Sequence, residues 1–249
     1  MLNLNIAIIS GASSGIGLEI AKLLDSYSLD ELWLIARNET KLNDFSKTLN
    51  TKTRHICVDL SENSSYEQIK ELLRANSPKI RFLVCSAGIG YNGQLSNLSK
   101  KDIEDTISLN CTSLTLLNRL SLDYLSANSR IINISSGAAF IPQPYFSVYA
   151  ASKSYVNSLS LALNKELKSR KIYVTAVCPG PVDTPFFSSL DNVKEYKKKF
   201  VVSPKVIAAG ALKASKKKKS IYTPTFSMKI VHLASKILPT SLLLSFLKK

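Results

Sequence analysis

Histidine is almost missing from this chain, two residues in 249, and the four cysteines (Cys57, Cys85, Cys111, Cys178) are scattered with no C-x-x-C pair. These gaps argue against a zinc or other metal site and a disulfide framework, and for free buried thiols in a reducing cytosol. No stretch reaches the ~18 apolar residues of a membrane span. The apolar run from Leu4 to Ile9 is too short for a signal peptide, has no basic leader and runs straight into glycines. No helix-turn-helix, RNA-binding or zinc motif accompanies the net charge of +15 and the pI near 9.6. The dense lysine runs, 197–199 and 216–219, carry few interleaved aromatics. The charge therefore reads as a solvated Lys-rich surface, with attraction to anionic ligands or membrane as the remainder and nucleic acid not an expected partner. No repeat, low-complexity linker or composition break divides the chain. One domain spanning residues 1–249 is expected, and 27.4 kDa is enough for a single large core.

What is present is alternation. Leu4–Ile9 reads as a buried strand, followed by glycines and a helix with Ile16, Ile20, Leu23, Leu24 and Tyr27 on one face. Strands are expected at Leu32–Ala36, Arg54–Val58, Ile80–Cys85, Arg130–Ile134 and Ile172–Val177. Helices are expected at Glu39–Leu49, around Glu67–Leu73, in one long stretch from about Lys101 to Leu125, and at Tyr149–Leu167. Such alternation predicts an α/β fold of the Rossmann type, a doubly wound parallel sheet of about seven strands with helices on both faces.

The chemistry gathers at strand ends. Strand one closes on Ser10-Gly11-Ala12-Ser13-Ser14-Gly15-Ile16-Gly17. Glycines at that turn let the backbone approach a pyrophosphate, which the helix N-terminus attracts through free N–H groups and its dipole. After strand two comes Arg37-Asn38, with no acid for ribose hydroxyls; an Arg there suits a 2′-phosphate. Asp59-Leu60 closes strand three where an adenine could sit. Cys85-Ser86-Ala87-Gly88 closes strand four with small residues that allow close approach. In the long helix Ile103, Ile107, Asn110, Leu114 and Leu117 share a stripe, so Asn110 is a polar residue facing the core. Ser136 ends strand five, thirteen residues before Tyr149. Lys153 follows Tyr149 by four, on the same helix face. A Lys beside a phenol favours the phenolate and can draw its pKa down from about 10, making the Tyr a usable acid or base. Cys178-Pro179-Gly180-Pro181-Val182-Asp183-Thr184 then stiffens a loop at the same sheet edge.

Together, the Gly11–Gly17 turn, Ser136, Tyr149-Ala-Ala-Ser-Lys153 and Pro179-Gly180 resemble the short-chain dehydrogenase/reductase family, over Ile6 to about Thr184. The resemblance implies a tetrad of Asn110, Ser136, Tyr149 and Lys153. Tyr149 would exchange a proton with the substrate oxygen while hydride passes to or from the nicotinamide, and Ser136 would hydrogen-bond that oxygen. Lys153 would hold the nicotinamide ribose and lower the Tyr149 pKa, and Asn110 would support a water leading to Lys153. Val182 and Thr184 match positions that anchor the carboxamide. One departure is Cys85-Ser86-Ala87-Gly88 where the family commonly has Asn-Asn-Ala-Gly, which removes an amide that steadies the central strands.

The expected activity is an NADP(H)-dependent oxidoreductase on a carbonyl/alcohol pair; the alternative is a catalytically silent NADP-binding sensor or scaffold. Residues 138–146 and 185–200, with Phe140, Tyr145, Phe146, Phe186 and Phe187, fit an apolar substrate or, equally, packing within a lid, and 185–225 is expected to form a lid region. Apolar or small residues beyond one stripe (Leu116, Leu120, Leu159, Ala162) predict a homo-oligomer, dimer or tetramer. The tail, residues 227–249, reads as two short apolar helices with basic residues, broken at Pro239. A weak peripheral membrane contact or a substrate lid fits this pattern. The plainer expectation is that Ile230, Leu233, Ile237 and Leu243 pack on the domain or on a partner subunit of a cytoplasmic protein.

Overall fold

Strands with apolar residues on both faces need helices above and below. The computed structural model describes residues 4–190 and 200–245. Its strands are β1 (Asn5–Ser10), β2 (Glu31–Ala36), β3 (Thr53–Cys57), β4 (Lys79–Cys85), β5 (Leu125–Ile134), β6 (Tyr173–Val177) and β7 (Ile221–Tyr222). Its helices are α1 (Gly15–Leu24), α2 (Glu39–Ser46), α3 (Ser64–Asn76), α4 (Lys100–Ile107), α5 (Ser113–Ser121), α6 (Ser147–Glu166), α7 (Pro185–Ser188), α8 (Pro204–Lys216), α9 (Phe226–Ile237) and α10 (Thr240–Ser245). The sheet is parallel throughout, in the order β3-β2-β1-β4-β5-β6-β7. This is the seven-stranded doubly wound architecture that the alternation predicts.

The two faces of the sheet make two cores. Ile6, Ile8, Trp33 and Ile35 pack with Ile69, Leu117 and Val156 from α3, α5 and α6. Ala7, Ile9, Leu32 and Leu34 pack with Ile20, Leu42 and Ile207 from α1, α2 and α8. Each fully buried aliphatic side chain contributes about 1.5–3 kcal/mol. A buried carboxylate inside β2 is matched rather than stranded. Glu31 accepts from the Trp33 indole at 2.9 Å and pairs with Lys52 at 2.7 Å and Arg54 at 3.3 Å. The order reverses between β1 and β4, so the carboxyl ends of these two strands open the crevice where such sheets bind ligands.

Several expectations need correction. The helix expected from Lys101 to Leu125 is broken: α4 passes into a π turn at Ser108–Thr112 before α5, and Leu122–Tyr124 is a 3₁₀ turn leading into a strand that begins at Leu125. The wide turn shifts the helix register, so Ile107 faces solvent and Thr106 is buried instead. Residues 185–225 are not all lid, because α8 is a core helix with Ile207, Ala208 and Ala211 buried and β7 joins the sheet. The thiols are free, but only Cys85 and Cys178 are buried, and Cys57 is exposed. In the tail, Leu243 is buried, whereas Ile230, Leu233 and Ile237 are exposed on this chain rather than packed on it. The lysine run 197–199 and the tail beyond 245 lie outside the described residues.

Candidate active site

The glycine turn at the end of β1 takes conformations that favour glycine. Gly11 has φ +67° and Gly15 φ +57°, and a Cβ on Gly11 would sit 2.8 Å from the Ala87 nitrogen. Gly17 faces the Gly11 carbonyl, where α1 packs close on β1. Ser14 is the N-cap of α1 but makes no side-chain cap bond. The first-turn N–H groups and the helix dipole are thereby left for an anion. The Ser10 hydroxyl accepts from the N–H groups of Ser86 (3.1 Å) and Ala87 (3.3 Å), holding the end of β4 beside this turn.

From there a cleft of about 1450 Å³ runs along the sheet edge. It is lined by Gly11, Ser13, Ser14, Gly15 and Ile16, by Arg37, Asp59 and Leu60, by Ala87 and Gly88, by Ser136, Tyr149 and Lys153, and by Pro179, Gly180, Val182 and Thr184. Three expected site residues stand behind that lining. Gly17 is the packing residue just described. Asn38 caps α2, its side chain accepting from the Lys41 N–H at 2.8 Å. Asn110 is buried in the π turn. It donates to the Ile89 carbonyl (2.7 Å) and the Ser152 hydroxyl (2.9 Å) and accepts from the Ile89 N–H (3.0 Å).

Helix α6 places Tyr149 and Lys153 on its buried side. The Ser135 hydroxyl donates to the Lys153 carbonyl at 2.9 Å, and the Gly137 N–H to the Pro179 carbonyl at 2.7 Å. These bonds fix the end of β5 between α6 and the loop after β6, and so set Ser136 beside Tyr149. The phenol ring stacks with Phe146 (centroids 4.3 Å apart) and with Phe186 (5.4 Å). Lys153 Nζ lies 5.6 Å from the ring centre and donates to the Ile134 carbonyl at 3.0 Å. A Cβ on Gly88 would meet both Asn110 (3.0 Å) and Lys153 Nζ (3.2 Å), so the glycine keeps these two groups close together. The loop closes through a bridge between Val182 and Val202, and Thr184 caps α7 while its methyl group reaches Gly15.

The model of the short chain dehydrogenase family matches residues 5–195, a span that holds all of these groups except Val202. The chain belongs to the short-chain dehydrogenase/reductase family. Among similar proteins is an uncharacterized oxidoreductase of Staphylococcus epidermidis, 30% identical over 188 residues, covering 75% of this chain and 81% of that protein. A very-long-chain 3-oxoacyl-CoA reductase of Mus musculus is 33% identical over 188 residues, covering 72% of this chain and 59% of its own length. A short-chain dehydrogenase from Sphingobium yanoikuyae, solved in complex with NADPH, aligns at a TM-score of 0.81 with 25% identity, over 99% of this chain and 97% of that one. This short-chain dehydrogenase/reductase is an oxidoreductase of that type.

Two features of the site differ from expectation. Burial pushes the Tyr149 phenol up to about 12, against a smaller lowering by Ser136, and Lys153 does not bring it down. The ammonium sits at the ring and is tied to the Ile134 carbonyl; burial holds Lys153 itself down to about 8, against opposing effects of Cys111 and Cys178. Nor does Arg37 stand alone, because Asp59 pairs with it at 3.5 Å. Burial acts to raise the Asp59 carboxyl, but hydrogen bonds from Ser61 and the Arg37 charge outweigh this and hold it low.

The amide missing after β4 is replaced in a way the motif conceals. Asn118 of α5 donates to the Cys85 sulfur (3.6 Å) and to Asn133 (3.3 Å), and Asn133 donates to Ser160 at 3.0 Å. Asn118 lies eight residues after Asn110, and the i+4 position of each turn faces the core. That spacing was the available signal. Sequence reasoning also missed Met228 and Val231 in the cleft wall, and Gly90, where a Cβ would strike the Tyr149 ring. Phe140, expected in the wall, instead stacks on His232 of α9 at 4.4 Å.

Proposed function

We propose that this short-chain dehydrogenase/reductase interconverts an apolar ketone or aldehyde with its alcohol, using NADP(H). The observation that carries the reading is the meeting of Ser136, Tyr149 and Lys153 in one cleft with the glycine turn. The fit to a dinucleotide rests on the space kept by Gly11 and Gly88 and on the uncapped α1 N-terminus. In this reading the turn of residues 11–17 holds the pyrophosphate, Leu60 and Asp59 border the adenine, and Val182 and Thr184 hold the carboxamide. Arg37 faces a 2′-phosphate, which favours NADP over NAD, and Asp59 tempers that preference by sharing the guanidinium. The dinucleotide, when bound, supplies or takes up the hydride.

Tyr149 moves the proton. Its phenol, protonated throughout the neutral range, donates to the substrate oxygen in reduction and receives the proton back in oxidation. Ser136 donates a hydrogen bond to that oxygen. Lys153 orients the ribose and places positive charge beside the phenol as it loses its proton. Phe146, Phe186, Met228 and Val231 keep water from the reacting atoms and favour an apolar substrate. The protein works as a cytoplasmic homo-oligomer. Of the residues expected to pair, Leu116, Leu120 and Leu159 pack against the chain's own core, which leaves Ala162, with the exposed Tyr155 and Leu161 of α6, for the contact. Light scattering giving a monomer mass at micromolar concentration contradicts this part.

NADPH oxidation followed across a panel of ketones and aldehydes tests the central reading. Turnover on apolar members supports it. Tight NADPH binding with no turnover on any carbonyl overturns it in favour of a silent NADP-binding sensor.

A further inference from the structure

Helix α9 is apolar on two sides. Its inner side closes the cleft, with Met228 and Val231 in the wall and His232 stacked on Phe140. Its outer side carries Phe226, Ile230, Leu233 and Ile237 at spacings of four, three and four, all between 53% and 77% exposed. A helix of a soluble domain ordinarily turns such a stripe inward. The ridge continues past the helix end through Leu238 and Leu242, which are exposed too, while Leu243 anchors α10 in the domain.

The flank of this ridge is basic. Lys229 and Lys236 each lie three residues after an apolar member of the stripe, and neither forms an ion pair among the described residues. From Tyr196 to Lys249 the sequence has thirteen lysines and no Asp, Glu or Arg. An apolar ridge edged with lysines and carrying no opposing charge is complementary to an anionic bilayer. The apolar side chains enter the boundary between headgroups and acyl chains, and the lysine stems follow them while their ammonium groups stay at the phosphates.

We propose that the outer face of α9 docks this protein on an anionic lipid surface. A second copy of the chain fits the face less well. Pairing about a twofold axis through this face would bring the Lys229 and Lys236 rows of the two copies together with no acidic residue on the helix to meet them. A ridge of twelve residues is also only roughly 18 Å long and about 10 Å wide, on the order of 180 Å² and far short of the ~800 Å² per partner of a standard interface. Docking through the outer side brings the cleft wall formed by the inner side of the same helix next to the bilayer, the side from which an apolar substrate would come. That route rests on the proposed reaction; docking itself does not.

The test is sedimentation of the full chain with phosphatidylcholine vesicles containing phosphatidylserine, beside pure phosphatidylcholine vesicles. The protein is expected to pellet with the anionic vesicles and less so as salt rises. A variant carrying Phe226→Ser, Ile230→Ser, Leu233→Ser and Ile237→Ser should pellet about tenfold less, with an unchanged circular dichroism spectrum because all four side chains are exposed. Lys229→Gln with Lys236→Gln should weaken pelleting at low salt. Protein that stays in the supernatant with anionic vesicles overturns the proposal whatever its catalytic activity. So does equal pelleting of the four-serine variant, which would assign the attraction to lysines elsewhere. A dimer that binds no vesicles and is split by the four-serine variant would give the face to a second copy.

Discussion

At the glycine-turn end of the cleft the wall is backbone, and at the aromatic end it is side chain. Gly11, Gly15 and Gly88 shape the first by leaving out a Cβ, where 2.8 Å to the Ala87 nitrogen leaves no room for one. Phe146, Phe186, Met228 and Val231 shape the second, from the loop before α6, from α7 and from α9. Backbone walls have one solution, because φ and the absence of a side chain cannot be traded against a neighbour. Side-chain walls have many, because apolar groups of similar volume replace one another at small cost. On the proposed function, the first end decides whether a dinucleotide fits, and the second decides which carbonyl does.

Tyr149 stands where the two ends meet, and removing its hydroxyl breaks the comparison most severely. Tyr149→Phe should lower kcat by about 10²–10⁴-fold, the usual worth of a positioned general acid, while fluorescence titration shows NADPH binding retained. Near-normal turnover would remove Tyr149 from the mechanism. Next in size is Arg37→Ala, which should reduce the NADPH over NADH preference in kcat/KM roughly 10- to 100-fold, the worth of a charge-assisted hydrogen bond of about 1.5–3 kcal/mol. An unchanged ratio would show that Asp59 already neutralises the Arg37 side chain.

Phe186→Ala sharpens the contrast from the other end. It should change the kcat/KM ratio between a large and a small apolar ketone by about tenfold and leave the KM for NADPH alone. A variant that loses cofactor affinity instead would show the two ends to be mechanically one. The smallest effect is on pH dependence. With Lys153 held down to about 8, its charge is present below that pH and lost above it. The kcat/KM for reduction, which reports the free enzyme, should be halved near pH 8 and keep falling as pH rises. A profile level through that pH would show that Lys153 keeps its proton or that its charge does not matter.

The comparison also explains what was legible in advance. Backbone requirements write themselves into residue types, so the Gly11–Gly17 turn, the end of β4 and the loop from Pro179 to Thr184 could be located from the sequence and do line the cleft. Tyr149 and Lys153 were legible because helical spacing puts them on one face and the glycine turn, Ser136 and Pro179-Gly180 accompany them in the sequence. Phe140 was misplaced, since nothing local distinguishes an aromatic that lines a cleft from one that supports α9. Asn118 was missed because its partners, Cys85 and Asn133, lie on two other elements. Ile107 was assigned to the core because a π turn leaves no mark in the apolar pattern until the register after it is known.

Local chemistry by itself determined the alternation of strands and helices, the parallel sheet and the placing of Tyr149 and Lys153 on one helix face, because periodicity and spacing act within a few residues. Only the tertiary structure decided three things. It set Asp59 against Arg37, from the ends of two neighbouring strands. It buried Tyr149 and Lys153 deeply enough to move their pKa values in opposite directions, an effect of surroundings rather than of spacing. And it turned α9 so that Met228 and Val231 close the cleft while Phe226 and Ile237 face outward. A helix with apolar residues all round cannot choose its buried side alone; the domain beneath it makes that choice.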